Sequence, residues 1–226
     1  MLTDEKKKNA KPLILNTQMV KAILDGRKTR FSKVVKKPID FEVESTNVIN
    51  AKDGGISEVE LVNFDSDETL FVKPQYKVGD ILYVKETFLI GEIEHGYDHP
   101  HENEYQIYNS KNGKIIYYAD HIDNIPFNNI AKSENWDCPI WKPSTHLLKR
   151  DARIFLKITD SRLENLQDMS IQDIQNEGIF TLGLTTDLIH QCWQVNWDST
   201  AKEGYKVEDE PLIFGFDFKR IDNEKE

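Results

Sequence analysis

The chain has 226 residues, of which 38% are hydrophobic and 30% are charged, and its formal net charge at pH 7 is -10. This is a globular composition, and the acidic balance excludes the broad positive surface on which non-specific nucleic-acid binders rely. No apolar run approaches the roughly 20 residues that a membrane-spanning helix needs, and the first residues lack the apolar stretch of a secretory signal.

The length and composition predict one domain over residues 11–221, with flexible tails at 1–10 and 222–226 and an irregular insertion around 91–139. The two cysteines, Cys138 and Cys192, are far apart and belong to no C-x-x-C pair, which indicates reduced thiols in a cytoplasmic protein. Neither G-x-G-x-x-G nor a P-loop pattern occurs, so we predict no nucleotide cofactor, and we expect no metal site.

The first predicted elements are a short strand over residues 11–16, a helix over 18–25 capped by Thr17, and a strand over 30–37. Gly26 is placed to end the helix in the left-handed conformation. Next, alternating segments at 41–49 and 56–64 flank an Asp-Gly-Gly sequence, which predicts a β-hairpin.

The second half begins with a predicted strand from Ile81 to Phe88 and a hairpin around Asn112-Gly113. A strand at 151–166, a helix at 170–178 opened by a Ser170–Asp173 capping box, a helix at 187–200 and a strand at 212–221 follow. Strands outnumber helices and are mostly joined by hairpins. The pattern favours an α+β fold, with an antiparallel, barrel-like sheet and a few flanking helices.

A basic segment, Arg27, Lys28, Thr29 and Arg30, lies where the first helix gives way to a strand. Basic side chains are favourable at a helix C-terminus because they interact with the helix dipole. The same residues can instead contact the phosphate or sugar of a ligand. The local pattern leaves both interpretations open.

Glu86 lies within the strand-like sequence "DILYVKETF". Strand alternation puts it on the same face as Leu82, Val84 and Phe88, an unusual place for a carboxylate. Burial raises the pKa of such a group unless a cation pairs with it. Glu86 is then a candidate general base or hydrogen-bond acceptor, although a rim glutamate that reaches water fits the pattern equally well.

The segment "WKPSTHLLKRDAR" at 141–153 contains Ser144, His146 and Arg153 beside further basic residues. A Ser/His pair without an orienting Asp or a G-x-S-x-G elbow is a weak signal for a nucleophile. Basic residues near Trp141 better suit phosphate contact and base stacking. The alternative is an ordered loop that packs its tryptophan on the sheet.

Several motifs in order resemble those of phage and prophage ASCH-type proteins, which are similar to the PUA-like superfamily. They are "LNTQMVKAILDGRKT", "VGDILYVKETF", "YYAD", the long segment that begins "WKPSTHLLKRDARIFLKITDSRLENL", and "WDSTAKEGY" followed by "FDFKRI". The resemblance runs from about Lys11 to Ile221. It implies a PUA-like β-barrel whose cleft is associated with RNA or modified nucleosides.

Some ASCH relatives are amidohydrolases that remove an acyl group from the N4 amine of cytidines, and others are described as ribonucleases. In the amidohydrolase relatives the working residues are a Lys after the helix glycine, a Thr three positions beyond it and a Glu on a central strand. Lys28 and Glu86 match the first and last of these, whereas the threonine position holds Phe31. The resemblance therefore leaves open whether the chain has this enzyme activity.

The leading hypothesis is an ASCH-type, PUA-like protein of phage or prophage origin that binds RNA or a modified nucleotide in a local basic cleft. Its predicted site residues are Arg27, Lys28, Thr29, Arg30, Glu86, Ser144, His146 and Arg153. The first alternative is a hydrolase of N4-acylated cytidine or RNA, with Lys28 and Glu86 as the acid–base pair. The second is an acidic phage protein that binds a host protein in the host cytoplasm.

Overall fold

The computed structural model describes residues 8–38, 41–52, 54–95, 105–109, 112–121, 141–179 and 181–221. Residues 1–7 and 222–226 of the predicted tails lie outside the described residues. So do Cys138 and much of the predicted insertion.

The described residues form an α+β fold in which the paired strands are mostly antiparallel and helices are few. The strands are β1 (Lys11–Ile14), β2 (Arg30–Val34), β3 (Ser45–Asn50), β4 (Ile56–Asn63), β5 (Glu68–Val72), β6 (Ile81–Lys85), β7 (Phe88–His95), β8 (Tyr105–Asn109), β9 (Lys114–Tyr117), β10 (Phe155–Asn165) and β11 (Leu212–Ile221). The α-helices are α1 (Thr17–Leu24), α2 (Ile171–Asn176) and α3 (Thr186–Asp198).

These residues divide into two compact units. Residues 8–11, 22–82 and 155–221 belong to the first unit, and residues 12–21 and 83–154 belong to the second. The division passes through β1, α1 and β6. The predicted site residues are therefore distributed over both units, and each unit is described by itself below.

The first unit is built on the antiparallel ladder β10-β11-β2, and Gly79 and Asp80, just before β6, are hydrogen-bonded to Ile158 of β10. A second antiparallel sheet has the order β3-β4-β5, which confirms the predicted β3–β4 hairpin. Helices α2 and α3 pack with the end of the ladder around a buried apolar cluster formed by Leu166, Met169, Ile174, Ile189, Trp193, Val207 and Ile213. The capping box is also confirmed, because the Asp173 amide donates to Ser170 Oγ over 3.1 Å.

The second unit contains a sheet with the order β8-β7-β9. The predicted hairpin around Asn112-Gly113 is wrong in its pairing, since β7 lies between the two strands that flank this turn. Gly91 of β7 pairs with Asn109 on one side and with Lys114 on the other. A Cβ atom on Gly113 would collide with the Gly91 backbone, so the glycine allows this close approach.

Two predicted boundaries also change. The cap of α1 is Asn16 rather than Thr17, because the Asn16 side chain accepts the Met19 amide over 2.9 Å. The predicted Ile81–Phe88 strand ends at Lys85, and Glu86 and Thr87 separate β6 from β7. Leu82, Val84 and Phe88, which the alternation puts on one face with Glu86, are all buried, as Glu86 is.

The sheets of the described residues remain open, and none of them closes into the barrel that the family resemblance implies. Among the described helices, none combines the length and the apolar character that a membrane span requires.

Candidate functional site

Lys28 of the first unit is fully buried. The chain turns at Gly26, whose φ of +75° is the left-handed conformation predicted from the sequence, and the Lys28 amide then donates to the Ala22 carbonyl. The Lys28 ammonium donates to the Glu177 carbonyl over 2.8 Å and to Glu177 Oε2 over 2.7 Å. Ser32 donates to the other oxygen of this carboxylate over 2.6 Å. Lys28 is thus bound by Glu177 and has no exposed side-chain surface.

Arg30 is buried in the same unit, at the start of β2. Its guanidinium pairs with Glu164 of β10 and with Asp173 of α2, the latter over 2.7 Å. Arg162 donates to Asp173 over 3.2 Å and to Asp217 over 3.1 Å, which joins both cations into one network. An isolated buried guanidinium would be costly, so these carboxylates are what permit its burial.

A glycine of β11 makes the room for this arrangement. Gly215 lies opposite Ser32 of β2 and Arg162 of β10 in the strand register. A Cβ atom at position 215 would collide with the Arg30 guanidinium and crowd the Glu164 carboxylate. The Arg30 side chain therefore crosses β11 where that strand has no side chain.

The other residues of this segment have different environments. Phe31, at the position of the expected threonine, is 3% exposed and packs against Tyr76, Phe216 and Phe218. Arg27 donates to the Gly178 carbonyl and to Asp25, and its side chain is 42% exposed. The Arg27 and Thr29 side chains are therefore the ones in this segment that a ligand can reach.

Glu86 and Arg153 are brought together in the second unit. Arg153 Nε donates to Glu86 Oε1 over 3.0 Å, and Nη2 donates to Oε2 over 2.9 Å. The third guanidinium nitrogen, Nη1, donates to Asp120 over 2.6 Å. The guanidinium also lies 4.1 Å from the centre of the Tyr117 ring, a cation–π contact. Arg153 is thus held in one orientation from three sides.

Burial and hydrogen bonding together set the pKa values of this pair. It raises the pKa of the Glu86 carboxyl, and the Arg153 hydrogen bonds oppose that rise only in part. For Arg153, burial disfavours the charge, but the hydrogen bonds to Glu86 and Asp120 outweigh it and raise the pKa. Glu86 is 1% exposed, whereas the Arg153 side chain is 27% exposed. The exposed part of the pair is therefore the cation.

The break between β6 and β7 organises the surroundings of this pair. Lys85 donates to the Thr145 carbonyl, the Thr87 carbonyl accepts the Tyr118 amide, and Phe88 pairs with Tyr117 and bridges to Lys142. We call this neighbourhood the junction site. It consists of residues 85–88, their contacts Tyr117, Tyr118, Lys142, Thr145 and Arg153, and two residues that contact these in turn, Asp120 beside Arg153 and Trp141 beside Tyr118.

The predicted Ser144 and His146 flank Thr145 of the junction site in a short 3-10 turn, Ser144–His146. The Leu147 amide donates to the Ser144 carbonyl, and the buried Leu147 side chain anchors the turn. His146 is exposed and Ser144 is half-buried. No hydrogen bond joins the two side chains within the part of the chain that the structure describes, so they form no nucleophile–base pair there.

Sequence reasoning missed the partners of the predicted cations. Glu164, Asp173 and Glu177 follow Arg30 and Lys28 by more than a hundred positions, and no local pattern links them. Asp120 and Tyr117 belong to the "YYAD" motif, which the family resemblance includes, so a signal for these two residues was present. The described residues contain no cluster of three or more His, Cys, Asp or Glu side chains that could hold a metal ion.

Comparisons of the chain with protein-family models, with curated proteins and with solved structures find no match.

Proposed function

We propose that the chain is an ASCH-type, PUA-like protein that binds RNA or a modified nucleotide, and that the ligand binds at the junction site of the second unit. The observation that carries the proposal is the Arg153 guanidinium, which stays partly exposed while Glu86, Asp120 and Tyr117 fix its orientation. A preorganised guanidinium with several donors suits phosphate and base recognition.

The sequence around Arg153 supplies the charge for such a ligand. Residues 141–153 contain four Lys or Arg residues and one acidic residue, in a chain whose net charge is -10. Lys142 and His146 are exposed, and the Arg150 side chain is 80% exposed. The charges of Lys142 and Arg150 are therefore reachable, unlike those of Lys28 and Arg30. A local basic segment on an acidic protein favours a small footprint on the nucleic acid.

Aromatic rings accompany these charges. The rings of Tyr118 and Trp141 meet edge to face with their centres 4.8 Å apart, and both residues are half-buried. Half-buried aromatic rings that alternate with cations are the combination on which single-stranded nucleic acids stack. The Arg153–Asp120 ion pair adds a donor and an acceptor side by side, which matches the edge of a nucleobase.

The test is the binding of a labelled 12-nucleotide single-stranded RNA, measured by fluorescence anisotropy at several salt concentrations. We expect Lys142→Ala and Arg150→Ala each to weaken binding and to reduce the salt slope by about 0.7, because each removes one phosphate contact. Trp141→Ala should cost about 1–3 kcal/mol of binding, and Trp141→Phe should keep most of the affinity.

Two further variants separate the competing sites. Lys202→Ala removes an exposed lysine of the first unit and should leave binding unchanged. Arg27→Ala tests the basic segment that follows α1. If Arg27→Ala weakens binding and the alanine variants of Trp141, Lys142 and Arg150 do not, the ligand binds the first unit and the proposed site is wrong. No measurable RNA binding by the wild-type chain, together with no binding of cytidine monophosphate or N4-acetylcytidine, contradicts the function.

Hydrolysis of an acylated cytidine is a second candidate, and the raised pKa of Glu86 is the observation that favours it. Against it, both Glu86 oxygens accept from Arg153 and the Lys28 ammonium is occupied by Glu177. Incubation with N4-acetylcytidine followed by mass spectrometry tests this candidate. Cytidine formed by the wild type and not by Glu86→Gln would support it, whereas no product at high protein concentration would exclude this reaction.

A further inference from the structure

Strand β3 forms one edge of the β3-β4-β5 sheet, and all six of its residues are exposed. Its other side pairs with no strand in the described part of the chain. An antiparallel edge strand points alternate N–H and C=O groups away from its neighbour, so these groups are available to a further strand.

The sequence of β3, Ser-Thr-Asn-Val-Ile-Asn, lacks the features that usually protect an edge. It contains no charged residue and no proline, although 30% of the chain is charged. The opposite edge, β5, carries Glu68 and is followed by Lys73, which pairs with Glu58 over 3.4 Å. The unprotected edge is therefore β3.

Val48 shows that this edge leaves apolar surface uncovered. It lies opposite Val59 in the register and so shares a face of the sheet with that fully buried residue. Val48 is nevertheless 38% exposed, and its neighbour Ile49, on the other face, is 40% exposed. One added strand would cover part of both side chains.

We propose that β3 pairs with β3 of a second copy of this chain, antiparallel and centred on Val48, to form a homodimer with a continuous six-stranded sheet. In this register each Val48 lies opposite its counterpart and Asn47 lies opposite Ile49. Glu44, just before β3, then lies near the turn that follows β3 of the other copy, so the long side chain of Lys52 in that turn can pair with it at both ends of the strand. Glu44 and Lys52 are both exposed.

The charges of Glu44 and Lys52 favour a second copy of this chain, rather than an unrelated strand, as the partner of β3. A two-fold axis at Val48 repeats each contact, so the single sequence supplies two Glu44–Lys52 pairs without any other partner. The Glu44 carboxylate also accepts the Phe64 amide, which holds it near the end of β3. Two short strands bury little surface, so we expect a weak dimer in the micromolar range or above. This inference does not depend on the proposed ligand.

Sedimentation velocity of the full chain over a range of concentrations, at moderate salt, tests the dimer. Val48→Lys should abolish association, because it places two like charges opposite each other. Glu44→Lys and Lys52→Glu should each weaken it about tenfold, since each change acts at both ends. The double variant E44K/K52E recreates both ion pairs and should regain most of the wild-type affinity.

Phe71→Lys on the opposite edge is the matched control, because Phe71 is a 56% exposed apolar residue of the same sheet, and it should not affect association. Circular dichroism checks that each variant is folded. Hydrogen exchange of the β3 amides should slow with rising wild-type concentration and not in Val48→Lys. A wild-type monomer at all concentrations, a dimer that Val48→Lys leaves intact, or a double swap that fails to restore association would each overturn the proposal.

Discussion

Arg30 and Lys28 have the largest fully buried side chains of the described residues, and both are cations. Each pairs with a carboxylate that lies 143 to 149 positions away in the sequence. Removing one partner of such a pair leaves an uncompensated buried charge, which costs about 3–5 kcal/mol. At these two positions a loss of ligand binding on mutation therefore has to be separated from a loss of folding.

The first prediction concerns the Arg30 side chain, which passes over Gly215 of β11. Gly215→Ala should lower the free energy of unfolding by about 1–3 kcal/mol, because the new methyl group has to displace the Arg30 guanidinium. A loss of stability is informative, because alanine is otherwise preferred to glycine inside a strand and the substitution would by itself raise the free energy of unfolding.

Urea denaturation measures this change in stability. Lys219→Ala, an exposed position on the same strand, is the control and should change stability by no more than about 0.5 kcal/mol. A Gly215→Ala variant as stable as the wild type would mean that Arg30 does not occupy the space above residue 215.

A second prediction concerns acid stability. Burial by itself would raise the pKa of Asp173, but the Ser170 hydroxyl and the Arg30 and Arg162 charges outweigh it and lower that pKa. A carboxyl group whose pKa is lower in the folded state stabilises the fold above its unfolded pKa of about 3.9, and this stabilisation disappears as the pH falls through the folded value.

Asp173→Asn should therefore be less stable than the wild type at pH 7, by about 3 kcal/mol, and the difference should shrink below about pH 4. Glu86, whose pKa is raised, acts in the opposite direction, but it is common to both proteins and cancels in the comparison. The raised pKa of Asp217 is due in part to the Asp173 charge, so the relief of that repulsion in Asp173→Asn offsets a part of the difference at pH 7. Urea denaturation at pH 7, 5 and 3.5 measures the difference. A difference that stays constant with pH would contradict the assigned ion pairs.

At the scale of single elements, the start of α1 provides a third prediction. Asn16→Ala should cost about 1 kcal/mol of stability, because the Met19 amide loses its acceptor. Thr17→Ala is the matched control at the next position, and its cost should be smaller. Thermal unfolding of both variants decides between the two caps, and a larger loss for Thr17→Ala would favour the cap predicted from the sequence.

Elements defined by local chemistry were predictable. The Ser170–Asp173 capping box, the left-handed Gly26 and the β3–β4 hairpin each depend on residues close together in the sequence. The pairing of β8 and β9 was not predictable in this way, because a turn signal at Asn112-Gly113 does not exclude a third strand between the strands it joins. β7 takes that place.

At the scale of the whole molecule, the same distinction applies to the candidate site. The sequence indicated Glu86 as a carboxylate on an apolar face and Arg153 as a basic residue near a tryptophan, and the structure joins the two. It also indicated that Lys28 and Arg30 bind a ligand through their charges, because a run of basic residues at a helix end predicts exposed side chains. Their burial depends on the carboxylates of Glu164 in β10, Asp173 in α2 and Glu177 just after α2, and a single sequence does not reveal such long-range pairing.

The pairing of β2 with β11 has a consequence for how the chain is made. Lys33 pairs with Phe214, so most of the sequence has to be synthesised before β2 obtains this neighbour. Strands β7, β8 and β9 are close in sequence, so they can pair before the rest of the chain has been synthesised. On the ribosome, the segment with Arg30 and Phe31 therefore has no strand partner until β11 has been synthesised, so the pairing of β2 comes late in folding.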